Sequence, residues 1–408
     1  MKFNKWTLGL AAVGVVSLAS VARADEKVSQ LNTALSNTTI SGYVDVGAQY
    51  INAAGGAYSI AGIPGAAFAT ATGAPYSTAG SAGADSTSLN VVDIALDKPL
   101  DATPYSAGYH IELWTGPGNT IVTGNSLVRQ AYLALATGPV DWKIGVWDTI
   151  IGYEGLTSSG NPNYTHSYGF AVEPTTHTGI QGTYQINSSV SVEAAVADDS
   201  YAGGATAYNA AVNGATALPL HHPTILGAVT LTAPDSFGPL KGATLTAGGI
   251  YTPGGTSGGD TEGFGESLYV GTTIPTPIAA LKFGGAFDYF EAGGTGQTSV
   301  GHIWVAGLYG TYQATDKLSF NVRGETFDQT AGFIETVTVV GGPNAGTYFT
   351  AHGEELTATA QYALWANVVS RLEARLDHAD DGPVFANTAN GRGERNAVFL
   401  GAQLIYSF

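Results

Sequence analysis

The stretch LGAQLIYSF, residues 400–408, alternates almost strictly between apolar and polar or small side chains. Successive side chains of an extended chain point to opposite faces, so Leu400, Ala402, Leu404, Tyr406 and Phe408 share one face while Gly401, Gln403 and Ser407 share the other. Only Ile405 departs from the rule. Soluble domains usually end in a polar, frayed tail, so this stretch reads as a strand sealed into a larger sheet.

The same period of two recurs in segments of about ten residues, as half-exposed strands require, and sixteen such segments can be drawn. In TISGYVDVGAQY (39–50), Ile40, Val44, Val46 and Ala48 alternate with Tyr43, Asp45 and Gln49. In VVSRLEARLDH, Leu372, Ala374 and Leu376 face away from Arg371, Glu373, Arg375 and Asp377. Connections alternate too. Seven short ones (97–104, 137–139, 186–189, 234–242, 275–280, 314–317 and 366–367) are interleaved with eight long ones near 51–87, 115–125, 149–175, 199–222, 252–265, 291–301, 329–353 and 379–395.

Tight turns on one side, long loops on the other and an even number of antiparallel strands describe a transmembrane β-barrel. The expected fold class is all-β, a sixteen-stranded transmembrane antiparallel barrel. In hydrocarbon an open sheet edge would leave backbone N–H and C=O groups unpaired at several kcal/mol each, so the sheet must close. Residues 400–408 are therefore expected to pair with the first strand, with Tyr406 and Phe408 at the short-turn rim serving closure and assembly. The competing architecture is a secreted soluble sandwich or solenoid, which would bury its apolar faces against each other.

Residues 1–24 have the form of a secretory signal: Lys2 and Lys5, the apolar run TLGLAAVGVVSLASV, then Ala22-Arg23-Ala24. Residues 25–37 are read as a short periplasmic segment and 38–408 as the barrel, placed in the bacterial outer membrane. The sequence carries 15 basic and 32 acidic residues, for a net charge of −17, and the balance becomes more negative once the signal is removed. Nucleic acid as a partner is excluded, because phosphates require a basic patch. There is no cysteine, so backbone pairing and packing must hold the fold.

TTISGYVDVGAQY, RQAYLALATGPVDWKIGVWDTIIGYEGL and YGFAVEPTTHTGI together resemble the OmpL-like putative β-barrel porin family of Gram-negative outer membranes. In that family a strand, a TGP turn, a K-I-G-V-W-D strand and a G-Y-E segment follow in this order. The resemblance implies passive diffusion of small solutes, with no enzymatic chemistry. Lipid, lipopolysaccharide, the outer-membrane assembly machinery and small polar solutes are the partners expected, and trimers are common among sixteen-stranded porins.

Pore selectivity depends on lumen-facing side chains and on any loop folded inward. Parity places Arg129, Lys143, Arg323, Glu325, Arg371, Glu373 and Arg375 on the lumen wall, along with Glu112, Glu193, Lys282, Asp288 and Asp377. Arg371 and Arg375 project from the same face about 13 Å apart. The third long loop, with Asp148, Glu154 and Glu173, is the candidate constriction. An acidic loop opposite a basic wall would set a transverse field. The alternative is a non-conducting barrel that adheres or binds through its outer loops.

Other chemical patterns lead nowhere. Gly255-Thr256-Ser257-Gly258-Gly259 fits G-x-S-x-G by chance in glycine-rich sequence, with no helix to follow it. His221-His222 point apart in an extended chain and have no spaced partner, so no metal site is read. His110, beside Glu112, faces the wrong way for a lipase. Tyr43, Trp147 and Trp304 are placed in the lumen, where they would suit a sugar-stacking track, although scattered aromatics are more often packing. No cofactor is expected.

Overall fold

The computed structural model describes residues 37–51, 85–116, 127–198, 223–253, 264–293, 299–330, 336–339, 346–349, 351–382, 385–387 and 392–408. The signal and periplasmic segment through residue 36, the 255–259 glycine motif and His221-His222 lie outside them.

Sixteen strands close into one antiparallel barrel in which every stave pairs with its neighbours in sequence. They are β1 (Thr39–Ile51), β2 (Asp85–Lys98), β3 (Tyr105–Thr115), β4 (Val128–Thr137), β5 (Val140–Asp148), β6 (Thr176–Asn187), β7 (Val190–Ala197) and β8 (Thr224–Thr232). The second half comprises β9 (Thr244–Pro253), β10 (Phe264–Pro275), β11 (Leu281–Gly293), β12 (Ser299–Gln313), β13 (Leu318–Gln329), β16 (His352–Trp365), β17 (Val368–Ala379) and β20 (Asn396–Ser407). Two hairpins on the long-loop side, β14 (Thr336–Val339) with β15 (Gly346–Phe349) and β18 (Phe385–Asn387) with β19 (Arg392–Glu394), stand apart from the barrel sheet.

The closing seam joins β20 to β1, with Val44 opposite Tyr406 and Ile51 opposite Phe399. Phe408 N–H donates to the Gly42 carbonyl at 3.0 Å, and Gly42 N–H donates to that of Phe408 at 3.1 Å. No barrel strand is left with an open edge, which is what a hydrocarbon surround demands. Leu400, Leu404, Tyr406 and Phe408 are exposed on the outside, whereas Gln403 and Ile405 are buried inside. Ile405 thus keeps the parity of its strand and breaks only the rule that inner residues are polar. Its place is explained by an apolar cluster inside the barrel that includes Tyr43, Trp114, Trp147, Phe290, Phe327 and Phe399.

The expected strand number, turn and loop alternation and facing hold, with local differences. β11 and β12 run on to Gly293 and Ser299, shortening the loop expected over 291–301; a register shift at Ala292/Gly293 accommodates the extension. In β2 a bulge opposite Asp45/Val46 inserts Asn90. Two successive residues, Asn90 and Val91, then both turn inward and are fully buried, as one extra residue in a strand requires. Trp304 contradicts its expected place: it sits on the outer face of β12, stacked on the exposed Phe287 with ring centres 6.2 Å apart. Among the described residues no helix is long and apolar enough to cross a membrane.

Candidate functional site: the lumen and the loop folded into it

The connection between β5 and β6, residues 149–175, turns into the barrel. Ile150, Ile151, Leu156, Tyr164, Phe170 and Val172 are all buried, and apolar side chains on a loop find cover only by packing against the inner wall. Its one helical turn, α1 (Tyr168–Val172), starts at Ser167, whose Oγ accepts the Phe170 N–H at 3.0 Å. The loop is pinched at its neck, where Thr149 N–H donates to the Thr175 carbonyl at 3.1 Å.

A loop inside a barrel buries backbone groups that water would otherwise satisfy. Here the wall supplies the partners. Arg323, fully buried on β13, donates through Nη1 to Glu154 Oε1 and to the Thr165 carbonyl, each at 2.8 Å, through Nη2 to the His166 carbonyl at 3.1 Å, and through Nε to Glu355 Oε1 at 2.7 Å. Arg371 donates to the Ser158 carbonyl at 2.9 Å and to that of Asn161. Arg375 reaches the His166 carbonyl at 2.7 Å and Asp377 at the same distance. The carboxylates do the complementary work. Glu373 accepts the N–H groups of Tyr164 at 2.5 Å and Thr165 at 2.9 Å; Glu325 accepts those of Tyr168 at 2.5 Å and Gly169 at 3.2 Å.

Two glycines make the close approach possible. A β-carbon on Gly47 or on Gly401 would strike the Tyr164 ring, which packs against the β1–β20 seam.

Arg323, Glu325, Arg371, Glu373 and Arg375 therefore lie inside, on the face that parity assigns them. They do not face an acidic loop across a gap: they grip its backbone. The reason is stoichiometric, since a guanidinium carries five donors and the buried loop presents a row of carbonyls. Asp148 is the last residue of β5 rather than a loop residue. It receives Arg129 Nη1 at 2.6 Å, and Arg129 Nε lies 2.6 Å from Glu112 Oε1. Lys143 stands on the wall left uncovered, its Nζ 5.3 Å from the centre of the Tyr132 ring.

The two loop carboxyls differ. Burial pushes the Glu154 carboxyl up, but Arg323 and then His166 outweigh it and hold it at about 2. Glu173 has no such cation. Burial and then the charge of Asp288 push it well above the ordinary carboxylate range.

Opposite the gripped wall lies an open volume of about 410 Å³, bounded on the barrel side by β1 to β7 and on the other by the loop, with Glu154 and Glu173 at its border. A polar rung crosses the staves here. Asp97 meets His110 at 3.2 Å, His110 stacks on Tyr132 at 5.3 Å, Lys143 caps Tyr132, and Gln181 donates to Glu193 at 2.7 Å. Sequence reasoning did not single out Asp97, Tyr132, Gln181 or Glu355. Parity carried a signal for Glu355, which precedes the alternation Leu356-Thr357-Ala358-Thr359 with both threonines buried. Tyr43 and Trp147 are buried inside, but as members of the apolar cluster. Among the described residues no group of three or more His, Cys, Asp or Glu is arranged to hold a metal ion.

A closed barrel of this kind has many structural counterparts. The chain matches an anion-selective porin from Comamonas acidovorans with a TM-score of 0.57 at 12% identity, covering 91% of this chain and 99% of that one. The outer membrane channel DcaP of Acinetobacter baumannii matches with a TM-score of 0.56 at 13% identity, covering 91% and 97%. OmpT of Vibrio cholerae in its trimer form matches at 0.52 and 12% identity, covering 91% and 99%. At such identities the likeness establishes the fold. A comparison with curated protein sequences found no match. The family model described as "Putative beta-barrel porin-2, OmpL-like" matches residues 37–408, the whole of the barrel, and on that match the chain belongs to the OmpL-like β-barrel porin family as an outer-membrane porin.

Proposed function

We propose that the barrel is a water-filled channel through which small polar solutes or ions diffuse passively, and that the loop over 149–175 is its constriction. The observation that supports this reading is the asymmetry of the lumen. One wall is filled by the gripped loop, while a volume of about 410 Å³ stays open along the other. Lys143 and Glu193 line the passage; Glu154 and Glu173 bound it from the loop. Arg323, Glu325, Arg371, Glu373 and Arg375 act by holding the loop, and Arg129 with Asp148 fixes its root. Residues 1–24 serve as the export signal and are removed, 25–37 form a short periplasmic segment, and Tyr406 and Phe408 serve recognition by the assembly machinery. Lipopolysaccharide surrounds the outer rim, and the trimer form of the Vibrio cholerae neighbour supports assembly as a homotrimer.

Liposome swelling tests the reading. Vesicles carrying the folded protein should swell in isotonic solutions of small sugars and amino acids and stop swelling above a size limit. Vesicles that swell in none of them would favour a closed barrel that binds or adheres through its loops.

A further inference from the structure

The polar rung on the open wall is not a uniform row of charge. His110 is bracketed by carboxylates, with Asp97 at 3.2 Å and Glu112 at 3.3 Å, so its ring is already engaged. In the other half of the rung Lys143 and Glu193 attract each other, and the group left unmatched is an acceptor. Lys143 on β5 is directly opposite Gln181 on β6, and Gln181 spends its amide nitrogen on Glu193 of β7 at 2.7 Å. The amide oxygen of Gln181, a residue only 2% exposed, has no hydrogen-bond partner. A buried acceptor left unmatched is unfavourable unless something else supplies a donor.

Lys143, Gln181 and Glu193 border the open volume together, and across it the loop presents Ile151 and Leu156. The site thus offers one cation, one anion and one unmatched acceptor on one side, and aliphatic surface on the other. A lone anion drawn to Lys143 would meet Glu193, and a lone cation drawn to Glu193 would meet Lys143; each would be opposed by a like charge. A solute carrying both signs close together satisfies both.

We infer that Lys143, Gln181 and Glu193 form a subsite for a small zwitterion, an α-amino acid with an apolar side chain. Its carboxylate accepts from the Lys143 ammonium. Its own ammonium donates to Glu193 and to the Gln181 amide oxygen, and its side chain lies against Ile151 and Leu156. The volume of about 410 Å³ is in the range of small-molecule sites. A sugar, with hydroxyls on both faces, would leave donors unpaired against the aliphatic side.

The inference rests on the channel reading, and one set of recordings separates the two. Ion current through the native protein in planar bilayers is measured with L-phenylalanine, with N-acetyl-L-phenylalanine, which keeps only the negative charge, and with L-phenylalaninamide, which keeps only the positive one. The free amino acid should reduce the current in a concentration-dependent way, with each analogue at least about tenfold weaker. Lys143→Gln and Glu193→Gln should each raise the half-blocking concentration by about tenfold, measured against the variant's own open current, and Lys143→Arg should restore it. Equal block by the three compounds, block unchanged in both glutamine variants, or an arginine variant as weak as the glutamine one would overturn the subsite while leaving the channel standing. Absence of any current would overturn the channel reading and the subsite with it.

Discussion

Arg323 of β13 and Glu154 of the inward loop, 169 residues apart in sequence, meet at 2.8 Å with both side chains almost wholly buried. This contact ties the wall of the barrel to the loop folded into it. A buried ion pair is a modest net contributor to stability, but removal of one partner leaves an uncompensated charge and costs about 3–5 kcal/mol.

Arg323→Ala strands Glu154 and Glu355 together and removes donors from the Thr165 and His166 carbonyls. The loop should leave the wall, with higher single-channel conductance and faster proteolysis within 149–175. Arg323→Lys should recover little of the native behaviour, because an ammonium cannot reproduce the guanidinium fork. Native conductance in the alanine variant would contradict the gripping role.

Glu373 receives two loop N–H groups and the Thr359 hydroxyl, the last at 2.8 Å. Glu373→Ala should release the Tyr164 and Thr165 amides at a cost of about 2 kcal/mol. Hydrogen exchange at those two amides should accelerate well beyond the change in the strands.

The two loop carboxyls predict opposite pH limbs. Glu154 is held at about 2, below its ordinary 4.5, so its stabilisation is complete above 4.5 and is lost as pH falls through about 2. Glu173 is raised, so its contribution is complete below 4.5 and is lost as pH rises through its elevated value, when it ionises beside Asp288. The loop should loosen at the alkaline end, and Glu173→Gln should flatten that limb. An unchanged alkaline limb in the variant, read by melting temperature, would count against the assignment.

Gly47→Val places a branched side chain where Tyr164 lies and should destabilise the loop by about 1–3 kcal/mol. Ala48→Val, one residue on and facing lipid, is the control and should change little. Limited proteolysis of the loop separates the two.

The barrel was legible in the sequence because its signal is local. Leu404 and Tyr406 declare the outer face of β20 and Gln403 the inner one, and strand parity alone puts Arg323, Arg371 and Arg375 inside. Ile405 and Trp304 show where polarity misleads: an apolar inner residue belongs to the cluster under the loop, and an aromatic outer residue belongs to the lipid face. What the inner arginines touch was not legible. Their partners are carbonyls of Ser158, Thr165 and His166, more than 150 residues away in sequence, and no periodicity records such a contact. The open wall was read only in part, since Tyr132 and Gln181 carry no charge and matter through their neighbours.

Single-channel recording of the native protein beside a variant with the loop shortened tests the central claim most directly. The account predicts stepwise, ohmic current increments from the native protein and clearly larger increments once residues within 149–175 are removed, as a bore narrowed by one loop requires. Membranes that remain silent with both proteins would contradict it.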